Sequence, residues 1–338
     1  MGYGLIFPGG GMTVRDIVGL SVEAEAAGFN SVYVTEAWRS GFVPLTAIAM
    51  ATQRIRLGTY VLNAYGRSPL LTGMSAIDLD ELSGGRLVLG IGSGNRHINE
   101  EWQGIPHKEP YRKMHEYVTV LRRIVQARIG ETVAYEGKLH RMHWVPAVQP
   151  LRTHIPLYLS AIFPKMVQVA GQVADGVAIG AITSVEYIRD VLQPRVRTAA
   201  AEAGRDPNAL GFLMAGFVSV SEDREQARQA AREAICRLFH PLPHPYYDFM
   251  LREHGFSSAA DAAKKYMPEG KLQHAAEAMT DEVLDRVTIA GTPEECRRRI
   301  AAYQHVVEEV ICVNVFYSAA KDFDLKASYR NIVRLPHA

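Results

Sequence analysis

The stretch "DELSGGRLVLGIGSGN", Asp80–Asn95, decides the fold. Two groups of glycine bracket a short apolar run, Leu87-Val88-Leu89. Ahead of it, "PLLTGMSAIDLDEL" (Pro69–Leu82) reads as a helix. Ser83-Gly84-Gly85 is then that helix's stop, where glycine adopts left-handed backbone at little steric cost. "RLVLGIG" (Arg86–Gly92) follows as a buried strand, and Gly92, Ser93, Gly94 and Asn95 leave its C-terminal end. The second group looks like a dinucleotide fingerprint, but that motif opens a helix on its third glycine within a βαβ unit. Here "NRHINEEWQGIPHKEP" (Asn95–Pro110) intervenes before the next clear helix. The stretch is therefore a helix–strand joint followed by a strand–loop joint.

The same alternation runs outward in both directions. "YGLIF" (Tyr3–Phe7), "SVYVT" (Ser31–Thr35) and "IRLGTYVL" (Ile55–Leu62) read as strands before it. "IPLYLS" (Ile155–Ser160), "DGVAIG" (Asp175–Gly180), "LGFLMAGFVSVS" (Leu210–Ser221) and "VEEVICVNVF" (Val307–Phe316) read as strands after it. Helices fall between them. Thr13 is a plausible N-cap and Gly28 a stop for the first; a second covers Pro44–Ala51. "TPEECRRRIAAYQ" (Thr292–Gln304) begins behind a threonine with proline at its first position. A polar hairpin, "ETVAYEGKLHRM" (Glu131–Met142), turns at Gly137, and residues 223–286 form a mostly helical insertion. Continuous apolar strands separated by helices imply a parallel sheet covered on both faces. Eight such units predict an α/β fold of the (β/α)8 TIM-barrel type, one domain over 1–338, with the insertion after the seventh strand. A doubly wound open sheet is the rival architecture. In a barrel, Gly84–Gly85 lies on the bottom face and Gly92–Asn95 on the top face, where active sites sit.

Composition narrows the function. The 37 basic and 36 acidic residues nearly cancel and no basic block stands out, so neither nucleic acid nor an anionic membrane is the expected partner. No run of about 18 apolar residues suggests a membrane span. The N-terminus lacks the charge and apolar pattern of a signal peptide. Cys236, Cys296 and Cys312 have no metal or redox spacing. A reduced, cytoplasmic protein is expected.

Five blocks then carry a resemblance: "AEAAGFNSVYVTEAW", "TQRIRLGTYVLNAYGRSP", "DELSGGRLVLGIGSGN", "PLYLSAIFPKMVQVAGQVADGVAIG" and "IAGTPEECRRRIAAY". In this order they resemble the bacterial luciferase-like flavin oxidoreductases, and most the branch that uses the deazaflavin coenzyme F-420 and includes methylenetetrahydromethanopterin reductase. The resemblance implies a (β/α)8 barrel, in agreement with the strand count, and hydride transfer between F-420 and a small organic substrate. The alternative it allows is an FMN-dependent monooxygenase fed by a separate flavin reductase; a non-catalytic barrel subunit is a third. It implies a homodimer or higher homo-oligomer.

It also implies three cofactor elements. The third strand should end in a bulge with a non-proline cis peptide at Tyr60–Val61, in "GTYVLN", close to Asn63. The loop after the fifth strand, Ser160, Ala161, Ile162, Phe163 and Lys165, should hold the phosphate of the cofactor tail at a helix opening on Pro164. Relatives usually carry glycine at one or both of the positions where this chain has Ile162 and Phe163. Gly176, Val177 and Ala178 should flank the phosphate or ribityl chain. Gly94 and Asn95 are ligand candidates from their strand-end position; Asn95 stands where some relatives have a glutamate, and it cannot carry a proton.

Glu36, after the second strand, is the first candidate proton donor, with a salt-bridged loop carboxylate as the plain reading. Ala37 removes the histidine that relatives often have next to it. His97 is the second candidate, with Asn99 and Glu100 near it; a solvated turn is the plain reading of "HINEE". His97 and Glu101 are four apart, but no third ligand suggests a metal. Trp38 could wall the pocket. His240, Tyr246 and Tyr247, in "HPLPHPYYDFM", suggest a rigid aromatic lid on the substrate pocket, or plain packing.

Overall fold

The computed structural model describes residues 2–240, 244–318 and 324–337. The chain has the (β/α)8 barrel fold and divides into two compact units. One comprises Met1–Asn30, Ile179–Pro194 and Phe212–Ala338; the other comprises Ser31–Ala178 and Arg195–Gly211.

In the first unit, strand β1 (Gly2–Phe7) pairs in parallel with the last barrel strand, Glu309–Asn314, in the register Gly2↔Glu309 to Ile6↔Val313. A first strand beside the last is what closes a barrel. The last strand also pairs in parallel with the ten-residue strand Gly211–Val220, buried along its whole length. Helix α1 (Val14–Ala26) begins with a capping box: Thr13 Oγ1 accepts from Asp16 N–H, and Asp16 accepts from Thr13 N–H. The insertion is helical as expected, in five segments from Arg224–Arg237 to Asp281–Val287. The sequence reading missed a three-residue strand, Ile289–Gly291, that pairs with Val218–Val220. It is shorter than a periodicity window can register. Helix Pro293–Ala301 follows, closed by a Thr292–Glu295 capping box.

In the second unit the strands lie side by side in chain order, all parallel: β2 (Ser31–Val34), β3 (Arg56–Thr59), β4 (Leu87–Gly92), β5 (Leu157–Ser160) and β6 (Gly176–Ile179). The predicted third strand is split. Leu62–Asn63 forms a separate short strand on β4, and the Tyr60–Val61 peptide between the two pieces is cis. Helix α2 (Phe42–Ala51) starts two residues earlier than predicted, since Pro44 still falls in the first turn, where its missing N–H costs nothing. Helix α3 is Pro69–Leu82, α4 is Pro110–Gln126 and α5 is Pro164–Val173. The polar hairpin pairs Val133–Glu136 with Arg141–Trp144 and turns through Gly137. Glu116 of α4 anchors that turn, accepting from the N–H groups of Lys138, Leu139 and His140 at 2.8–3.1 Å.

The two glycine groups prove to do different jobs. Gly84 and Gly85 have φ of 67° and 83°, and nothing crowds the side-chain position at Gly84. They are backbone-conformation glycines. Gly90 and Gly92 are extended strand residues pressed against the bulge: a Cβ on Gly90 would meet the Thr59 carbonyl, and one on Gly92 would meet Val61 and Ser160.

Candidate active site

The site is built where β2–β5 end. Thr59 Oγ1 donates to the Gly90 carbonyl at 2.8 Å and accepts from Gly90 N–H at 3.0 Å, which seals β3 to β4. Thr35 Oγ1 donates to the Tyr60 carbonyl at 2.9 Å, and Tyr60 N–H donates to the Val34 carbonyl at 3.0 Å. The cis unit is thus clasped from β2. Val61, partly exposed, lays its side chain against Gly90 and Gly92, and Ser160, whose own side chain is exposed, flanks Gly92 from β5.

A chain of amides continues the site toward the loop after β4. Asn63 Nδ2 donates to Asn99 Oδ1 at 2.7 Å, and Asn99 Nδ2 donates to the Ser93 carbonyl at 2.8 Å. Asn63 Oδ1 accepts from Tyr65 N–H. Both asparagines are buried, so the chain holds the loop in one conformation. Gly94, exposed with φ 62°, has no room for a side chain between these amides. Asn95 Oδ1 accepts from Ile98 N–H at the start of a π-helical turn, His97–Trp102. The expectation of a solvated turn in "HINEE" holds only for its outer face, since Asn99 is fully buried.

Both candidate proton donors have partners. Glu36 accepts from Gly41 N–H and Asn63 N–H at 3.3 Å each, and Arg67 Nη1 lies 3.7 Å from its Oε1. Arg67 in turn stacks over the Phe42 ring at 5.0 Å. These are the partners of an anchoring carboxylate, which counts against Glu36 as a free donor. His97 accepts from Trp102 Nε1–H at 3.2 Å and places Nδ1 2.8 Å from Glu101. Glu100 instead accepts from His107 N–H. No group of three metal-ligating side chains is found among the described residues.

The loop after β5 offers donors to an anion. Helix α5 opens on Pro164 with Phe163 at its N-cap and no side-chain cap. Ser160 and Lys165 are exposed, whereas Ala161 and Ile162 are buried, so the latter two can offer a ligand only backbone. Lys165 Nζ rests 5.7 Å from the centre of the Tyr111 ring. This donor set suits a phosphate-bearing cofactor. The third predicted element divides. Gly176 begins β6 opposite Tyr158, where a Cβ would meet the Gly211 carbonyl, so it is a packing glycine at the N-terminal end of the strand. Val177 is wholly buried; Ala178, opposite Ser160, is the member nearest the strand's C-terminal end.

The predicted lid residues lie in the other unit. Tyr246 packs on Gly180, shares a 3.0 Å hydrogen bond with Thr183 and donates to the Ala181 carbonyl. It ties helix Pro245–Glu253 to the loop after β6. Tyr247 packs on Tyr246 and His244, and burial pushes the His244 imidazole down to about 4. His240 is exposed; Pro241, Leu242 and Pro243 of the predicted lid lie outside the described residues.

Residues 4–307 match the family model described as luciferase-like monooxygenase. The chain belongs to this family. It is 32% identical to the 5,10-methylenetetrahydromethanopterin reductase of Archaeoglobus fulgidus over 82% of each chain, and 31% identical to that of Methanolobus tindarius over 82% of this chain and 83% of the relative. Among solved structures it is similar to the coenzyme F420-dependent tetrahydromethanopterin reductase of Methanopyrus kandleri, with TM-score 0.82 and 24% identity over 98% and 97% of the two chains. That likeness shows the shared barrel fold. Sequence reasoning missed Arg67 and gave Trp102 no role. Arg67 lies in the block Thr52–Pro69 that carries the resemblance and Trp102 in the Asn95–Pro110 stretch, but their partners are defined only by the loops that bring them to the strand ends.

Proposed function

We propose that this luciferase-like family member is an oxidoreductase that transfers hydride between coenzyme F-420 and a small organic substrate. The observation that carries the reading is the clasped Tyr60–Val61 unit, with the partly exposed Val61 lying against Gly92 at the strand ends. The relatives of the reductase type support it. When bound, the deazaflavin ring supplies the carbon that takes up or gives back the hydride. The chain's part is to hold and orient. Val61 would back the ring. Gly94 and Asn95 would border it, with Asn63 acting through the loop that its amide fixes. Ser160, Lys165 and the backbone of Ala161, Ile162 and Phe163 would hold the phosphate, with Ala178 beside them. Glu36 enters this reading as a positioning residue that joins the Gly41 turn to Asn63. The partners in this reading are a small-molecule substrate and a second copy of the chain. Exposed Val43 and Met50 on α2, and Leu71 and Met74 on α3, support the second copy.

The FMN-dependent monooxygenase is the second reading, and the family description favours it. Oxygen uptake separates the two. Reduced FMN supplied with oxygen should give no more uptake with the protein than without it. Protein-dependent uptake would move the chain to the monooxygenase reading and would call for a flavin reductase as partner.

A further inference from the structure

Two indoles stand exposed on the loops of the strand-end site. Trp38, after β2, is 63% exposed, and Trp102, closing the turn after β4, is 48% exposed. Their ring centres are 5.9 Å apart with the planes tilted by 50°. Trp38 is two residues from Glu36, and Trp102 is three from Asn99, whose amide bonds Asn63. Both rings are thus tethered within a few residues of the groups that hold the bulge.

Trp102 is also held from behind. Its Nε1–H donates to His97 Nε2, so that nitrogen is the unprotonated one. Nδ1 of the same ring lies 2.8 Å from Glu101 Oε2, outside hydrogen-bond alignment. The His97 ring meets Trp102 edge-on at 5.7 Å. The contact to His97 takes up the Trp102 N–H and leaves a ligand the faces of that ring. Aromatic faces favour offset or edge-on partners with centres 4.5–7 Å apart, and a flat ring meets that geometry better than a flexible chain does.

We propose that Trp38 and Trp102 form the specificity-determining wall of the substrate site, that the substrate carries a planar ring, and that His97 is a positioning residue for Trp102. The proposal rests on reading this end of the strands as the redox site.

The test uses two probes of one carbon skeleton, flat 2-naphthol and saturated trans-2-decalol, titrated calorimetrically into the full chain. Trp144→Phe provides the background, since the chain has 3 tryptophans and Trp144 lies on the hairpin. Emission then reports Trp38 and Trp102 alone. Naphthol should bind about tenfold more tightly than decalol. Trp38→Leu or Trp102→Leu should remove that preference, whereas Trp102→Phe should keep it within about threefold. His97→Leu should shift the tryptophan emission and weaken naphthol, an effect that a merely structural histidine would not produce. F-420 affinity, titrated separately, should stay unchanged in every variant. Equal binding of the two probes, or leucine variants that keep the preference, would overturn the wall. Loss of F-420 binding by the parent chain with the preference intact would instead overturn the redox reading alone.

Discussion

Glu36 shows how one residue changes role once its neighbours are known. A carboxylate at the end of β2 invites a proton-donor reading, yet its oxygens meet two backbone N–H groups and the Arg67 guanidinium. A hydrogen bond of this kind contributes about 0.5–1.5 kcal/mol, more when one partner is charged. Glu36→Gln keeps one acceptor and should therefore lower stability by about 1 kcal/mol, seen as a small fall in melting temperature. Cofactor affinity should fall with it, while kcat at saturating cofactor stays within about tenfold. A loss of kcat by 10²–10⁴-fold, the typical range for general acid catalysis, at unchanged melting temperature would restore the donor role. Gly90 is a second residue whose role the surroundings decide. Gly90→Ala would push a methyl against the Thr59 carbonyl, and overpacking of this kind costs about 1–3 kcal/mol in a thermal or denaturant unfolding measurement.

At the scale of the element, the helix–strand joint and the hairpin make separate predictions. Gly85→Ala places a side chain on backbone with φ of 83°, at ordinary contact distance from Leu151 and Arg152, so its cost of about 1–2 kcal/mol comes from conformation rather than from a clash. Cofactor affinity at a temperature where the variant is folded should match the parent; affinity loss without stability loss would put the ligand at the wrong end of the strands. The hairpin carries a pH dependence. Burial, with Lys113 adding to it, pushes the His140 imidazole down to about 4 from its ordinary 6.5, while Glu116 works in the opposite direction. Between those values the unfolded chain binds more protons at this group than the folded chain does, so stability falls as pH drops from 6.5 toward 4. His140→Asn should flatten that part of the melting-temperature profile; an unchanged profile would show that His140 does not contribute. Legibility follows the same division. Most strands, the Thr13 N-cap and the Gly137 turn were readable because periodicity and backbone rules are local. The split of the third strand at Tyr60–Val61 was foreseen only through family resemblance. The Asn63–Asn99 amide pair was beyond reach, since it joins residues 36 apart through loop geometry that no spacing rule encodes.

Across the whole molecule, the barrel fold and the family are established, while the chemistry rests on the loops at the strand ends. No helix among the described residues is long and apolar enough to cross a membrane. In the proposed reading the donors around α5 would suit any phosphate-bearing flavin, so Lys165 and Ser160 would not separate F-420 from FMN. The distinction falls to the ring end, at Val61, Gly94 and Asn95. Parallel fluorescence titrations of the purified chain with F-420 and with FMN therefore test the central claim most directly. The account predicts saturable binding of both with F-420 the tighter, and tighter binding of FMN would contradict it.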